Sequence, residues 1–279
     1  QGTGMTYSSE NLPEFLRHLS RLAAKETLPR FRSDTDVINK GIEAGQIYDP
    51  VTEADQEAER QIRLAIENAF PDDAILGEEH GEKSGVSGHR WVIDPIDGTR
   101  AFICGAPVWT TLIGYEMDSI PVSGLISQPF TGENWIAVPD HPTIYDRNGT
   151  SYHAHVSGEE NLATARIMIT DIRAGEYLSK DESDALLSLT RKCRLCRQGL
   201  DSYGFALLAS GQLDLVVEAA LNWHDICAII PVVKGAGGVA VTWQGHEFTP
   251  DFPGGRVILA ASRKLAEDVV DLLRDVPLA

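Results

Sequence analysis

The chain has few cysteines and no long apolar run. Four cysteines among 279 residues are too few for a disulfide-stapled scaffold. Cys193 and Cys196 form a C-x-x-C pair, but no second pair stands at zinc-site spacing, so reduced structural thiols are favoured over a zinc or redox site. Since we find neither ~18 consecutive apolar residues nor a secretory apolar segment, we expect a cytoplasmic protein without a membrane span.

Basic residues are also scarce. The chain has 24 Lys and Arg against 41 Asp and Glu, which gives a net charge of −17. This balance disfavours a broad nucleic-acid surface, because such a surface needs clustered Lys and Arg. It is also difficult to reconcile with a phosphorylated ligand, unless some of the carboxylates bind metal ions.

The apolar content, in contrast, is ample. At 43% it is sufficient for a sizeable core. With about 150 residues per domain as a guide, the length predicts one large domain or two closely joined halves. The polar segment 140–160 is the candidate boundary. We therefore predict an N-terminal half over residues 5–157 and a C-terminal half over residues 158–279, with the site at their junction.

Apolar periodicity predicts helices and a meander in the first half. Helical spacing covers residues 8–31, closed by Pro29, and a second helix follows Thr52 and ends before Pro71. Residues 77–90 contain four glycines and are predicted to form an exposed, mobile loop. Strands are predicted over 91–93, 110–116, 123–127 and 134–138, the last three as an antiparallel meander.

The second half alternates between the two element types. Its predicted strands cover 166–170, 213–218, 239–242 and 257–261. Its predicted helices cover 183–192, 202–210, 225–234 and 262–273. Such alternation favours sheets covered by helices, and so a mixed α+β fold.

The densest chemical signal is the segment Asp94-Pro95-Ile96-Asp97-Gly98-Thr99, which directly follows a short apolar strand. Two carboxylates at the end of a strand can bind a hard cation such as Mg²⁺. Gly98 permits a tight bend, and the amides of a following helix can face an anion.

Two other interpretations of this segment exist. The first is a capped turn with two solvated aspartates. The second is the D-x-D-G-T motif of the haloacid-dehalogenase phosphatases, in which one Asp is the nucleophile and the Asp two residues on is the acid. Because Asp94 and Asp97 are three residues apart, the second carboxylate is out of register for that chemistry.

Three further segments are weak individually. Glu78 and Glu79 follow an apolar strand, Asp225 opens a predicted helix after Trp223 and His224, and Asp55 lies in the first turn after Thr52. Adjacent acids at a loop edge are usually solvated, and acidic residues are common at helix starts.

Taken together and in this order, the four segments resemble the motifs of the inositol monophosphatase superfamily. They read V-T-x-x-D, G-E-E, D-P-I-D-G-T and W-H-D. The resemblance spans roughly residues 35–260. It implies a five-layer αβαβα sandwich of two fused halves. It also implies a phosphomonoesterase that binds two or three Mg²⁺ ions, for which Mn²⁺ can substitute, and that acts as a homodimer on a small phosphorylated substrate.

The resemblance also implies the roles of individual residues. The metal ligands are Glu78, Asp94, the carbonyl of Ile96, Asp97 and Asp225. The substrate is bound by Asp97, Gly98, Thr99, Glu218 and Asp225. The catalytic residues are Glu78, Thr99 and Asp55, which activate a water that attacks phosphorus directly, without a covalent intermediate.

The assignment to a subfamily depends on short sequence segments. The run Arg100-Ala101-Phe102 differs from the T-x-N-F run of many inositol monophosphatases, and the chain looks like the bacterial histidinol-phosphate phosphatases of the superfamily, which make histidinol in histidine biosynthesis. His224 departs from the aromatic-Asp pairing expected there. Glu218 can face the ammonium group of that substrate or accept from an inositol hydroxyl. An inositol-1-phosphatase, a broad sugar or nucleotide phosphatase, and a regulatory protein without turnover remain alternatives.

Overall fold

Two amphipathic helices lie near the start of the described part of the chain, which in this computed structural model comprises residues 11–33, 37–39 and 50–278. Helix α1 spans Leu12–Thr27 and α2 spans Glu53–Ala69. Two short antiparallel strands, β1 (Val37–Asn39) and β2 (Pro50–Thr52), precede α2. The second predicted helix is confirmed. The first helix was predicted over residues 8–31. Its part before residue 11 lies outside the described residues, and residues 28–31 form turns.

A large, mostly antiparallel sheet follows. Among the described residues it has eight strands, in the order β10-β9-β8-β7-β6-β5-β3-β4. They are β3 (Ala74–Gly77), β4 (Gly81–Lys83), β5 (His89–Asp97), β6 (Thr110–Met117), β7 (Ile120–Gln128), β8 (Glu133–Ala137), β9 (Ile144–Arg147) and β10 (Thr150–His153). The predicted meander is confirmed as β6–β8, and β3 and β5 form the only parallel pair of this sheet in the part described.

One prediction about this region was wrong, because the predicted loop 77–90 contains β4, which pairs with β3. The segment 140–160 contains the hairpin β9–β10, which extends the sheet. Every residue of β10 is exposed, so the strand has no apolar alternation that a sequence pattern can show. The division into halves at residues 157 and 158 stays a prediction.

A second, mixed sheet of five strands lies in the later part of the described chain, in the order β12-β11-β13-β15-β14. The strands are β11 (Arg166–Ile169), β12 (Leu195–Gln198), β13 (Leu215–Glu218), β14 (Val239–Thr242) and β15 (Val257–Ala260). The predicted strands are confirmed, but β12 was missed. It is an edge strand with an arginine and a glutamine among its four residues, and edge strands often carry polar side chains.

Six further α-helices lie in the described part of the chain after β5. They are α3 (Thr99–Ile103), α4 (Lys180–Thr190), α5 (Asp201–Ala209), α6 (Trp223–Ile226), α7 (Ile229–Gly235) and α8 (Arg263–Leu273). The helix predicted over 225–234 is in fact two short helices, α6 and α7. The helices predicted over 183–192, 202–210 and 262–273 agree with α4, α5 and α8 to within a few residues, as expected for helix ends.

The described elements stack in five layers. Helices α1 and α2 cover the outer face of the large sheet, α5 and α7 lie between the two sheets, and α4 and α8 cover the outer face of the second sheet. Side chains alternate accordingly: on β13, Val216 packs in the central layer, and Leu215 and Val217 pack on the outer one. The predicted αβαβα sandwich is confirmed. No helix within the described ranges is long and apolar enough to cross a bilayer.

Candidate active site

A bulge at the end of β5 brings its two aspartates together. The pairing of β5 with β6 shifts register between Asp94 and Asp97, and the hydroxyl of Thr111 donates to the carbonyl of Pro95 at 2.8 Å. In a regular strand, residues three apart point to opposite faces. The bulge redirects the chain, so oxygens of Asp94 and Asp97 lie within 4.8 Å of each other.

Glu78 reaches the same point because β3 and β5 are parallel neighbours. Both strands end at the same edge of the sheet, and the amide of Glu78 donates to the carbonyl of Ile93 at 3.1 Å. Glu78 therefore stands beside Asp94. A sequence pattern alone cannot show this, because it requires the pairing of two strands.

The short helix α6 contributes Asp225 and His224 to the site. Asp225 accepts a hydrogen bond from the amide of Asn222 at 2.6 Å, which caps the helix. The indole N–H of Trp223 donates to the buried Glu116 on β6 at 2.6 Å and so ties α6 to the large sheet. The site thus combines the large sheet with a helix from the later part of the chain.

These residues form two overlapping groups with cation-binding geometry. The first group consists of Glu78, Asp94 and His224, and the second consists of Asp94, Asp97 and Asp225. Within each group, every residue offers one potential ligand atom, and these atoms all lie within 4.8 Å of one another. Burial, followed by the charges of Glu78, Asp97 and Asp225, raises the pKa of Asp94 well above its usual range. Burial likewise raises the pKa of Asp97, with Asp225 as the next cause.

Such repulsion among buried carboxylates is relieved by a bound cation. The donor set is mostly oxygen, which suits a hard divalent ion. The residues therefore fit the metal centre that the sequence predicted. The carbonyl of Ile96 lies in the same wall, with its oxygen 3.1 Å from the hydroxyl oxygen of Thr99.

Gly98 and Thr99 form the turn that follows β5. Gly98 has a φ of 84°, a left-handed conformation that favours glycine, and it leads directly into α3. The Thr99 hydroxyl lies 3.3 Å from an oxygen of Asp55, which is fully buried and accepts the amide of Thr52 at 2.9 Å. Burial raises the pKa of Asp55 to about 6.

A cavity of about 450 Å³ lies above these residues. Every site residue predicted from the sequence lines it except Asp55, which stands behind Thr99. Glu218, at the end of β13, also lines the cavity and is 4% exposed. It accepts the amide and the hydroxyl of Thr170 at 2.6 and 2.8 Å, and burial raises its pKa to about 8.

The structure adds wall residues that the sequence did not suggest. At the start of α5, the amide of Ser202 donates to Asp97 at 2.8 Å, and Asp201 lies against Gly98. Burial raises the pKa of Asp201 to about 6, and the positive charge of Arg100 opposes this rise. No local motif marks Asp201 or Ser202, because their role depends on how α5 docks onto the large sheet.

The rim of the cavity has two ion pairs. Arg100 contacts Glu176 at 3.1 Å and lies over the ring of Tyr177 at 4.7 Å. Arg173 pairs with Asp171 at 2.6 Å. These arginines are therefore engaged by their own neighbours.

Comparison with known proteins gives consistent matches. The family model described as "Inositol monophosphatase family" matches residues 10–278. A histidinol-phosphatase from Streptomyces coelicolor is 35% identical over 237 residues, which cover 82% of this chain and 85% of that protein. A chloroplastic bifunctional phosphatase from Arabidopsis thaliana is 37% identical over 221 residues, 78% of this chain, and the match spans 60% of that protein's length.

A solved structure agrees over almost the whole chain. It is that of an inositol monophosphatase from Zymomonas mobilis, with a TM-score of 0.81 and 32% sequence identity. The alignment covers 96% of this chain and 99% of that one.

Proposed function

The chain belongs to the inositol monophosphatase family of phosphoric monoester hydrolases, and we propose that it is a Mg²⁺-dependent phosphatase whose substrate is histidinol phosphate. The observation that carries the proposal is the convergence of Glu78, Asp94, Asp97 and Asp225 on the floor of one cavity. The family's enzymes are metal-dependent, and the choice of Mg²⁺ follows from the oxygen-rich donor set.

In this proposal Glu78, Asp94, Asp97, Asp225 and the carbonyl of Ile96 hold the ions. When bound, Mg²⁺ ions activate water and neutralise charge on the phosphate and on the leaving oxygen. The amides of Gly98 and Thr99 bind phosphate oxygens, as amides at a tight turn before a helix commonly do. Asp97 and Asp225 also contact the substrate.

Thr99 and Asp55 have a separate role in proton handling. The Thr99 hydroxyl can accept a hydrogen bond from the attacking water while it donates to Asp55 at 3.3 Å. The pKa of Asp55, about 6, suits a group that receives a proton near neutral pH. In the same proposal, the carboxylate of Glu78, which also lines the cavity, accepts a hydrogen bond from the attacking water.

The specificity for histidinol phosphate has two supports. One is the similarity to histidinol-phosphatases, and the other is the acidic side chain of Glu218 in the cavity wall, which suits a substrate with an ammonium and an imidazole group. Inositol 1-phosphate is the second candidate, favoured by the match to the Zymomonas mobilis structure, because Glu218 can also accept from a hydroxyl. A regulatory protein without turnover is disfavoured, since every expected ligand type is present. The homodimer and the cytoplasmic location stay predictions.

Substrate comparison tests the assignment. With Mg²⁺ present, we expect kcat/KM for histidinol phosphate to exceed that for inositol 1-phosphate by at least about tenfold, roughly the value of one well-placed charged contact. Phosphate release is measured under matched conditions. A preference for inositol 1-phosphate would contradict the specificity but leave the phosphatase proposal intact. Undiminished turnover in excess chelator, without earlier metal loading, would contradict metal dependence.

Replacement of Glu78 by Gln tests water activation. Because the amide keeps the shape of the side chain but cannot take a proton, we expect kcat to fall by roughly 10²- to 10⁴-fold while KM changes little. Steady-state kinetics at saturating Mg²⁺ separate the two parameters. Glu79→Gln, one residue further along, is the matched control and keeps kcat. A wild-type kcat in Glu78→Gln would show that Glu78 has no such role.

A further inference from the structure

Asp201 is an acidic side chain in the cavity wall that the proposed reaction does not yet use. It is the first residue of α5 and lies directly against the Gly98 turn: a Cβ placed on Gly98 would be 3.0 Å from its carboxyl carbon. It therefore stands beside the phosphate-binding turn. Glu218, in contrast, occupies the end of β13 in the second sheet.

Structural roles do not account for the Asp201 carboxylate. Acidic residues at a helix start usually accept a first-turn amide, but α5 has no side-chain cap. Within the described ranges, no hydrogen bond or ion pair to this carboxylate is found, and Arg100, the neighbouring cation, is engaged by Glu176 and Tyr177. Asp201 is partly exposed in the cavity wall, and a partly desolvated carboxylate without a partner has a cost that a positively charged ligand offsets.

The chemistry of the substrate indicates which positive charge fits. In histidinol phosphate the ammonium group is borne by the second carbon from the ester oxygen, and the imidazole lies further out. A counter-ion for the ammonium must therefore stand next to the phosphate-binding turn, whereas a partner for the imidazole must stand deeper along the cavity. Asp201 occupies the first of these positions, because it lies directly against Gly98.

We propose that Asp201 determines specificity by pairing with an ammonium group two carbons from the ester oxygen, which leaves Glu218 to face the rest of the organic group. This inference rests on the proposed phosphatase function. It extends the substrate class to phosphate esters of 2-amino alcohols, of which histidinol phosphate is one. The recognition is ionic, so a neutral group of the same size at that carbon gains nothing from Asp201.

Two small probes isolate this contact. O-Phosphoethanolamine and propyl phosphate have nearly the same shape, but only the first has an ammonium at the position in question. The measured quantity is the ratio of their kcat/KM values with saturating Mg²⁺, in the wild type and in Asp201→Asn. Asparagine preserves the side-chain shape and tolerates the left-handed backbone at this residue, where φ is 46°.

We expect Asp201→Asn to lower the ratio roughly 10- to 100-fold, the usual value of a charge-assisted contact, and to leave kcat/KM for propyl phosphate within about threefold of wild type. Asp171→Asn is the matched control, because Asp171 also lines the cavity but is paired with Arg173. It should leave the ratio unchanged.

The outcomes are distinct. An unchanged ratio in Asp201→Asn overturns the inference. An equal loss for both probes also overturns it, because Asp201 would then act through Asp97 and the metal centre. If the wild type prefers inositol 1-phosphate to histidinol phosphate, the proposed substrate is wrong, and the ratio still decides the role of Asp201. If the wild type releases phosphate from no substrate, both proposals fail.

Discussion

Replacement of Asp97 by Asn is expected to abolish metal-dependent phosphate release, with a fall in kcat/KM on the order of a thousandfold or more. Asp97 contacts both the candidate metal centre and helix α5 from the later part of the chain. It lies with Asp94 and Asp225 in one ligand group, and it accepts the amide of Ser202 at 2.8 Å. An amide at this position removes one negative charge from the ion's surroundings.

The same substitution should raise the stability of the metal-free protein. Burial and the charge of Asp225 raise the pKa of Asp97, so its ionised form is held in the fold at a cost. The replacement side chain removes that charge, while its amide oxygen can still accept from the Ser202 amide. We therefore expect a higher Tm for Asp97→Asn than for the wild type in chelator near neutral pH. Inactivity through misfolding would give the opposite shift.

Asp184→Asn provides the control for the Asp97 experiment. Asp184 lies on α4, is exposed and pairs with Lys180, so the same chemical change there should alter neither activity nor metal dependence. Retention of more than about a tenth of the wild-type activity in Asp97→Asn would contradict the ligand assignment.

Metal ions and protons are expected to stabilise the fold in competition with each other. In the folded protein, burial raises the pKa of Asp55 from 3.8 to about 6 and that of Glu218 from 4.5 to about 8, and Asp94 and Asp97 shift in the same direction. The folded state thus binds more protons than the unfolded state in this range. The stability of the metal-free protein therefore falls as the pH rises from about 5 to about 8.

Added Mg²⁺ should reverse this trend, because it binds the ionised carboxylates only. At a concentration 100 times its Kd, a ligand of the folded state adds about 2.7 kcal/mol to the free energy of unfolding, or roughly 5–10 °C in Tm for a chain of this size. We expect such a gain near pH 8 and a much smaller one near pH 5. Thermal denaturation in Mg²⁺ and in chelator, at equal ionic strength, measures both.

Two results would contradict this prediction. One is a metal-free Tm that rises with pH over the window, and the other is an equal Mg²⁺ effect at both ends. Asp97→Asn is an internal check, since it lacks one of the competing carboxylates. Its metal-free stability should fall less steeply with pH, and its response to Mg²⁺ should be weaker.

The parts of the site that the sequence predicted are those with local causes. Asp94 and Asp97 follow an apolar strand within one continuous motif, so their residue types and position already indicate a cation site. Glu78 and Asp225 were found only through the order of motifs that the chain shares with a family. Their convergence depends on a parallel strand pair and on the docking of α6.

The roles of Asp201 and Ser202 could not be predicted from the sequence. They lie in a segment that was predicted only as the start of a helix, and their importance arises from contact with Gly98 and Asp97. Strands β10 and β12 were missed for a related reason. They lie at sheet edges with mostly polar, exposed residues, so pairing with a neighbour defines them rather than an apolar pattern.

The hydrogen bond from Ser202 to Asp97 also bears on how the chain folds. It joins residues 105 positions apart, and Asp225 joins the same cluster from still further along. The complete set of ligands does not exist until α5 and α6 have docked onto the large sheet. A refolding chain should therefore acquire tight metal affinity only at this late step. The rate of metal uptake during refolding would then report when the two sheets come together.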